Sequence, residues 1–442
     1  MVVTTEDPAQ EAERVIAAVT ADFTSGSERG VVVDSPPGAG KSTLVVRVAM
    51  DLAAAGERVM VVAQTNEQVD DLVDRMARAA PQLRIGRLSA VDYLPSHRVA
   101  HTNVTVAERV ADIYDAPITI GTAAKWVYIT EGPWPWAVID EAYQMRSDML
   151  LRIAGRFERA MFVGDPGQLD PFSTIDIDRW TGLTWDPMQS AVAAMLRNNP
   201  ALPVHQLPLS WRLPPAAAAA VAGAFYPFGG FRSATTSTQR RLSFQAHGFE
   251  QPIDKAVDTA ARTGWALYEL PARFTVRTDA EAAAAAAALA VRVIHRGAVT
   301  HSERTPEGGG LVTVDRVAIG ATHRDQVAEI QSAVHRAGGA GITVETANRL
   351  QGSEYDIVVV LHPLSGRRDA TNFHLESGRL CVLTSRHRHA CIVVARAGIQ
   401  ELLDAHPSTE PVHLNVPARF PDGWEAHQAM LTHLARHRVP AG

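Results

Sequence analysis

Between residues 35 and 43 the chain reads Ser35-Pro36-Pro37-Gly38-Ala39-Gly40-Lys41-Ser42-Thr43, directly after the apolar run Val31-Val32-Val33. A glycine-rich turn between a strand and a helix lets backbone N–H groups close around phosphate oxygens. The helix that follows presents its positive end to the same anion. Pro37, Gly38, Ala39 and Gly40 would form the cradle, with Lys41, Ser42 and Thr43 opening the helix. Lys41 would reach the outer phosphates, and the Ser42 hydroxyl would face Mg²⁺. Only three lysines occur in the chain, Lys41, Lys125 and Lys255, among 42 basic residues. Lysine in an arginine-rich chain marks a place where a compact charge is wanted. Ser35 departs from the strict pattern, which begins with glycine.

Two further groups suit a bound triphosphate. Val138-Ile139-Asp140-Glu141-Ala142 ends an apolar run. In ATP-hydrolysing P-loop proteins the first carboxylate of such a pair holds Mg²⁺ and the second orients the attacking water. Asp140 and Glu141 are the candidates for these roles, so Ser42 and Asp140 form the expected metal set. Val163-Gly164-Asp165-Pro166-Gly167-Gln168-Leu169 closes the next apolar run. Gln168 there is a neutral side chain suited to sensing the γ-phosphate, and the glycine and proline guarantee a turn.

The elements that must hold these residues follow from hydrophobic patterning. Strands are expected over 30–34, 58–63, 118–122, 136–139 and 161–163, with helices over 41–55 and 66–80. Continuous apolar strands alternating with helices imply a parallel sheet covered on both faces. Functional residues then belong on the loops at the strands' carboxyl ends. A proline-spaced stretch through Pro200, Pro203, Pro208, Pro214 and Pro215 interrupts the pattern. A second alternating set follows, with strands over 265–270, 317–321, 342–345, 357–361 and 391–395. Helices are expected over 279–295, where alanine predominates, and over 325–335. Residues 379–384 read as a buried apolar segment, and 233–238 and 308–310 as flexible loops. The fold class expected is α/β, two domains in tandem with parallel sheets. The divisions read as 1–198, 199–418 and a helical tail at 419–442.

The order of phosphate loop, D-E-A and G-D-x-x-Q-L resembles that of a superfamily 1 helicase, and within it the up-frameshift type that acts in nonsense-mediated decay. Three later segments extend the resemblance. Leu209-Ser210-Trp211-Arg212-Leu213-Pro214-Pro215 is similar to the family's Q-Y-R-M segment. Thr346-Ala347-Asn348-Arg349-Leu350-Gln351-Gly352-Ser353-Glu354-Tyr355-Asp356 resembles D-x-F-Q-G-x-E-x-D. Arg379-Leu380-Cys381-Val382-Leu383-Thr384-Ser385-Arg386-His387-Arg388 resembles R-L-N-V-A-L-T-R-A-R.

The resemblance implies that the two α/β domains are tandem RecA-like P-loop domains with an ATP cleft between them, and with ATP and Mg²⁺ as ligands. Arg212 and Arg386 would reach the γ-phosphate as arginine fingers. Trp211 would stack on adenine, Gln10 would read its edge, and Gly352 and Glu354 would contact the nucleotide, Glu354 at the ribose. Gln351 would couple nucleotide to nucleic acid. Ala63-Gln64-Thr65-Asn66 resembles the family's A-P-S-N, so Thr65 and Asn66, with Thr122, would touch a single strand's backbone. Trp126, Trp134 and Trp136 lie nearby, as base-stacking candidates or as core. Departures fall at Ser35, at Ser210 and at Asn348-Arg349.

Composition sets the outer bounds. The net charge of −6 argues against a protein that coats duplex DNA through bulk electrostatics. Two cysteines, Cys381 and Cys391, are too few for a disulfide framework or a zinc site and read as buried thiols. No run is long and apolar enough to span a bilayer. The N-terminal residues are polar and acidic, unlike a signal peptide. A cytoplasmic monomer without membrane contact is therefore expected, acting on single-stranded DNA or RNA, with a protein partner in prospect. The expected activity is an ATP-hydrolysing translocase or helicase, with 5′→3′ polarity implied by the resemblance. The alternative is an ATP-gated clamp or remodelling module that does not unwind. The short segments 84–117 and 232–264, the only room for accessory insertions, motivate it.

Overall fold

The computed structural model describes residues 7–169, 190–305, 308–408 and 421–442. They form two compact units, one of 7–166 with 190–207 and one of 167–169 with 208–305, 308–408 and 421–442.

The first unit is built on eight strands: β1 (Gly30–Asp34), β2 (Val59–Ala63), β3 (Ile85–Leu88), β4 (Val104–Ala107), β5 (Ile118–Thr122), β6 (Trp134–Ile139), β7 (Phe157–Gly164) and β8 (Val204–Gln206). They pair in parallel in the order β4-β3-β5-β2-β6-β7-β1-β8. Alternate residues go to opposite faces. Val31, Val33, Val59, Val61, Val138 and Val163 pack with the helices Lys41–Ala54 and Asn66–Ala79. Val32, Met60, Val62, Ala137, Ile139 and Phe162 pack on the other side with Trp126 and Trp134. The β-branched strands are thus buried on both faces, as a parallel sheet requires. β3 and β4 were not anticipated. They come from 84–117, which extends the sheet by two short strands, with β4 at its edge. Gly86 and Arg87 interrupt the apolar pattern there.

The second unit carries β9 (Leu209–Ser210), β10 (Arg232–Ser233), β11 (Arg241–Phe244), β12 (Trp265–Leu270), β13 (Ala298–His301), β14 (Gly310–Leu311), β15 (Val317–Ala321), β16 (Thr343–Thr346), β17 (Tyr355–Leu361), β18 (His387–Arg396) and β19 (Arg438–Pro440). Its main sheet is parallel, in the order β16-β15-β17-β18-β12-β19. Ile319, Val359 and Ile392 face one core cluster, while Ala318, Val358, Val360 and Val393 face the other. The alanine-rich stretch forms the helix Ala280–His295 and buries Ala283, Ala286, Ala287 and Ala290. Small side chains there let the helix lie close on the sheet. β11, β13 and β14 make a small antiparallel sheet.

Several expectations are sharpened or changed here. Residues 379–384, expected to be buried, are so as part of the helix Ser377–Thr384. The C-terminal segment packs on the second unit: the helix Gly423–Ala435 buries Met430 and Leu434, and β19 pairs with β12 at the edge of the main sheet. Residues 233–238 are tied down, since the Ser233 hydroxyl donates to the Leu213 carbonyl at 2.7 Å. Cys381 and Cys391 are buried free thiols. No helix among the described residues is long and apolar enough to cross a membrane.

Candidate active site

In the first unit the expected phosphate loop leaves β1 at its carboxyl end. Gly38 and Gly40 take positive φ, at 73° and 90°. Gly40 precedes the helix Lys41–Ala54, and no side chain caps that helix. Its first N–H groups are therefore available to an anion. Ser35 is buried, and its N–H donates to the Gly164 carbonyl at 2.8 Å. That N–H serves the join between β1 and β7 rather than the cradle. Ser35 is also absent from the positive-φ positions, so glycine is not demanded there.

Around Lys41 the structure gathers acids from neighbouring strand ends. Lys41 pairs with Glu141, which follows β6. Burial works against the Lys41 ammonium, but the carboxylates of Glu141, Asp140 and Asp165 outweigh it and raise the pKa above that of an ordinary lysine. Burial pushes the Asp140 carboxyl up to about 6, against the pull of Lys41. Among the described residues Glu141 is the one non-glycine at positive φ, 50°. Such a backbone is stored strain of roughly 1–3 kcal/mol. It is held by the Glu141 N–H donating to Asp140 Oδ1 at 2.9 Å. Gln144 Nε2 donates to Glu141 Oε2 at 2.8 Å.

Asp165 and Gln144 belong to this site, and sequence reasoning gave neither a role. Asp165 had a signal, its place in G-D-x-x-Q-L; Gln144 had none. Gly164 has a steric reason: a Cβ there would lie 3.0 Å from the Tyr143 nitrogen.

The expected nucleic-acid residues sit at neighbouring strand ends. Ala63 and Thr122 are paired across β2 and β5. Each hydroxyl has a local duty. Thr65 caps the helix Asn66–Ala79 by accepting from the Gln68 N–H, and Thr122 accepts from the Lys125 N–H. Asn66 Oδ1 accepts from Arg87 Nη2 at 2.8 Å. Gln64 Nε2 donates to the Asp140 carbonyl at 3.2 Å, linking this segment to the acid pair. Trp126 and Trp134 are core, with Trp126 Nε1 donating to the Val61 carbonyl at 3.1 Å. Trp136 packs edge-on to Phe23. Trp126 and Trp134 are therefore out of reach of a base, while Trp136 is half-buried. Gln10 is exposed on the helix Pro8–Ser25.

The second unit gathers the expected arginines. Arg212 Nε reaches Glu354 Oε2 at 3.5 Å, and Nη1 reaches the Ser385 carbonyl at 3.5 Å. Burial, then the neighbouring Arg386, lower the Arg212 pKa to about 10. Arg386 is buried and folds back on the Val382 carbonyl and the Ser385 hydroxyl. Glu354 sits among Arg212, Arg304 and Arg388. Burial alone would raise its pKa; the three guanidinium groups bring it down to about 2. The ribose role implied for Glu354 is thus joined by another, as counter-ion to Arg212. Trp211 beside it is 40% exposed. Gln351 Nε2 donates to Gln168 Oε1 at 3.0 Å. Gly352 takes φ 84° in open space. Asn348, at a departure from the family pattern, accepts from Arg379 Nη1 at 3.3 Å.

Comparison with known proteins follows the same division. Two family models match, each described as an AAA domain, over residues 16–176 and 195–398. A search of curated proteins finds no match. Among solved structures the chain is similar to an arterivirus nonstructural protein 10 helicase in complex with DNA (14% identity, 89% of this chain, 65% of that one, TM-score 0.44). It is similar to the E. coli DExH-box NTPase HrpB (11% identity, 93% of this chain, 44% of that one, TM-score 0.42). A third is the DUF1998 helicase MrfA bound to DNA and AMPPNP (12% identity, 92% of this chain, 53% of that one, TM-score 0.42). The chain thus spans less than two thirds of the length of these proteins. Two AAA domains in tandem, carrying the phosphate loop, the acid pair and the arginine segments in series, make up most of this chain.

Proposed function

We propose that the chain hydrolyses ATP and uses it to move along single-stranded nucleic acid. The observation that carries this reading is the buried group of Lys41, Asp140, Glu141 and Asp165 at the mouth of an uncapped, glycine-led helix. One cation faces three acids there. An incoming triphosphate competes with Glu141 for Lys41. As Lys41 turns to the phosphates, the Glu141 carboxylate is released to accept a proton from the attacking water. The positive φ of Glu141 sets the direction of that carboxylate.

Ser42 and Asp140 suit Mg²⁺, which takes one or two protein oxygens and completes its shell with phosphate and water. When bound, the ion would neutralise charge developing on the phosphates. Arg212 and Arg386 are the cations for the γ-phosphate, planar and suited to a phosphoryl group. In this reading Arg212 exchanges Glu354 for the nucleotide, and Gln168 with Gln351 relays the γ-phosphate's presence. Trp211 stacks on the adenine, Gly352 leaves room beside it, and Gln10 reads the base edge. Thr65, Asn66 and Thr122 hold the strand's backbone without reading sequence. The polarity in this reading is 5′→3′.

A second reading has one observation in its favour. Residues 84–117 contribute two short strands at one end of the sheet, and 232–264 contribute short strands and the helix Pro252–Thr263. Neither builds a separate domain, so translocation or clamping without strand separation is the alternative. ATP turnover with and without single-stranded DNA or RNA tests the first reading. Stimulation by the polymer supports it, and an unchanged rate overturns it. A strand-displacement assay then separates unwinding from clamping.

A further inference from the structure

Arg240 precedes β11 and has no place in the motif series. Its side chain is 1% exposed, and all five of its N–H groups have acceptors. Nε donates to Glu303 Oε2 and Nη2 to Glu303 Oε1, both at 2.8 Å. Nη2 also donates to the Trp211 carbonyl at 2.8 Å. Nη1 donates to the Arg212 carbonyl at 3.1 Å and to the Arg388 carbonyl at 3.2 Å. Glu303, in the turn after β13, takes a third bond from Arg388 Nη2 at 2.6 Å.

These contacts join two separate stretches of chain. One is the segment after β9 that carries Trp211 and Arg212. The other is the start of β18, two residues beyond Arg386. We propose that Arg240 and Glu303 are positioning residues for phosphate chemistry. Their bidentate pair fixes the backbone from which Arg212 departs relative to the backbone that carries Arg386. A planar fork of five donors is what such a junction needs; lysine offers three donors on a flexible stem and no planar match to a carboxylate. The carboxylate also explains why several buried arginines can share one place. Burial, then repulsion from Arg388, lower the Arg240 pKa, and Glu303 counters both. The two carboxylates thus divide the work, with Glu303 anchoring the frame and Glu354 pairing with the guanidinium of Arg212.

This inference rests on the ATP-hydrolysis reading above, and the test separates the two. Arg240→Lys, Glu303→Gln and Arg212→Ala are made singly, and the first two are also combined with the third. Glu303 is 39% exposed, so its amide variant folds even where Arg240→Lys does not. Turnover, KM for ATP and affinity for a fluorescent ATP analogue are measured for each. The expected result is a fall in kcat of about tenfold or more in either single variant, with KM and analogue affinity within about twofold. Combined with Arg212→Ala, neither should reduce kcat further, because residues acting through one group are non-additive. Wild-type kcat in Glu303→Gln, or losses that multiply in the combined variants, would overturn the positioning role. Absence of ATP turnover in the wild-type chain would instead overturn the reading beneath it.

Discussion

In the proposed reaction Glu141, which neutralises Lys41 from a backbone at positive φ, must also activate water. Glu141→Gln keeps the shape and the bond capacity but removes the base. ATP affinity should persist while kcat falls by roughly 10²–10⁴-fold, the worth of a general base. Single-turnover hydrolysis checks this, and near-normal turnover would remove Glu141 from its role. Arg386→Ala should leave nucleotide affinity intact and lower kcat by roughly 10³-fold, as loss of an arginine finger does. Steady-state kinetics with a binding titration would show it. The site was legible in the sequence where residue type and spacing coincide, as for Lys41, Asp140 and Glu141. It was not legible where partners come from distant loops. Glu303 and Arg240 lie 63 residues apart and belong to no motif. Glu354 was visible as a motif position, but its three arginine partners needed the fold.

At the scale of elements, the helix Asn66–Ala79 begins on a reciprocal cap: Thr65 accepts from the Gln68 N–H, and the Gln68 side chain accepts from the Thr65 N–H. Thr65→Ala should destabilise the first unit by about 1 kcal/mol through loss of this cap. It should also weaken single-strand binding, whereas Thr65→Ser restores both. Urea unfolding and a binding titration measure the two effects separately; unchanged binding in a folded Thr65→Ala variant would remove Thr65 from the interface. Strands with three or more consecutive β-branched residues, such as β1 and β17, announced themselves by pattern alone. β3 did not, because Gly86 and a buried Arg87 stand in a four-residue strand. Arg87 is tolerated there because Asp70 and Asn66 accept its N–H groups and Tyr93 covers its face at 3.7 Å. The helix Ser377–Thr384 was read only as buried because its run of consecutive apolar residues, 380–383, carries no helical period.

Over the whole molecule, acid sensitivity should concentrate in the second unit. Burial lowers His362 and His374 to about 4 and His387 to about 3, below the ordinary 6.5. The unfolded chain therefore binds protons that the folded unit refuses. Their contribution to stability is full above pH 6.5 and is lost as the pH falls towards 4. Urea midpoints for the second unit should drop between pH 7 and pH 5, and a flat profile would contradict the assignment. Movement along a strand is the larger claim. It requires that a polymer held by Thr65, Asn66 and Thr122 be felt at Asp140 and Glu141, and the Gln64 bond to the Asp140 carbonyl supplies a physical link between the two places. The most direct measurement is the ATP turnover of the wild-type chain with and without single-stranded polynucleotide, beside Glu141→Gln. The account predicts turnover that rises with polymer in the wild type and is nearly abolished in the variant. Turnover indifferent to polymer, or retained in Glu141→Gln, would contradict it.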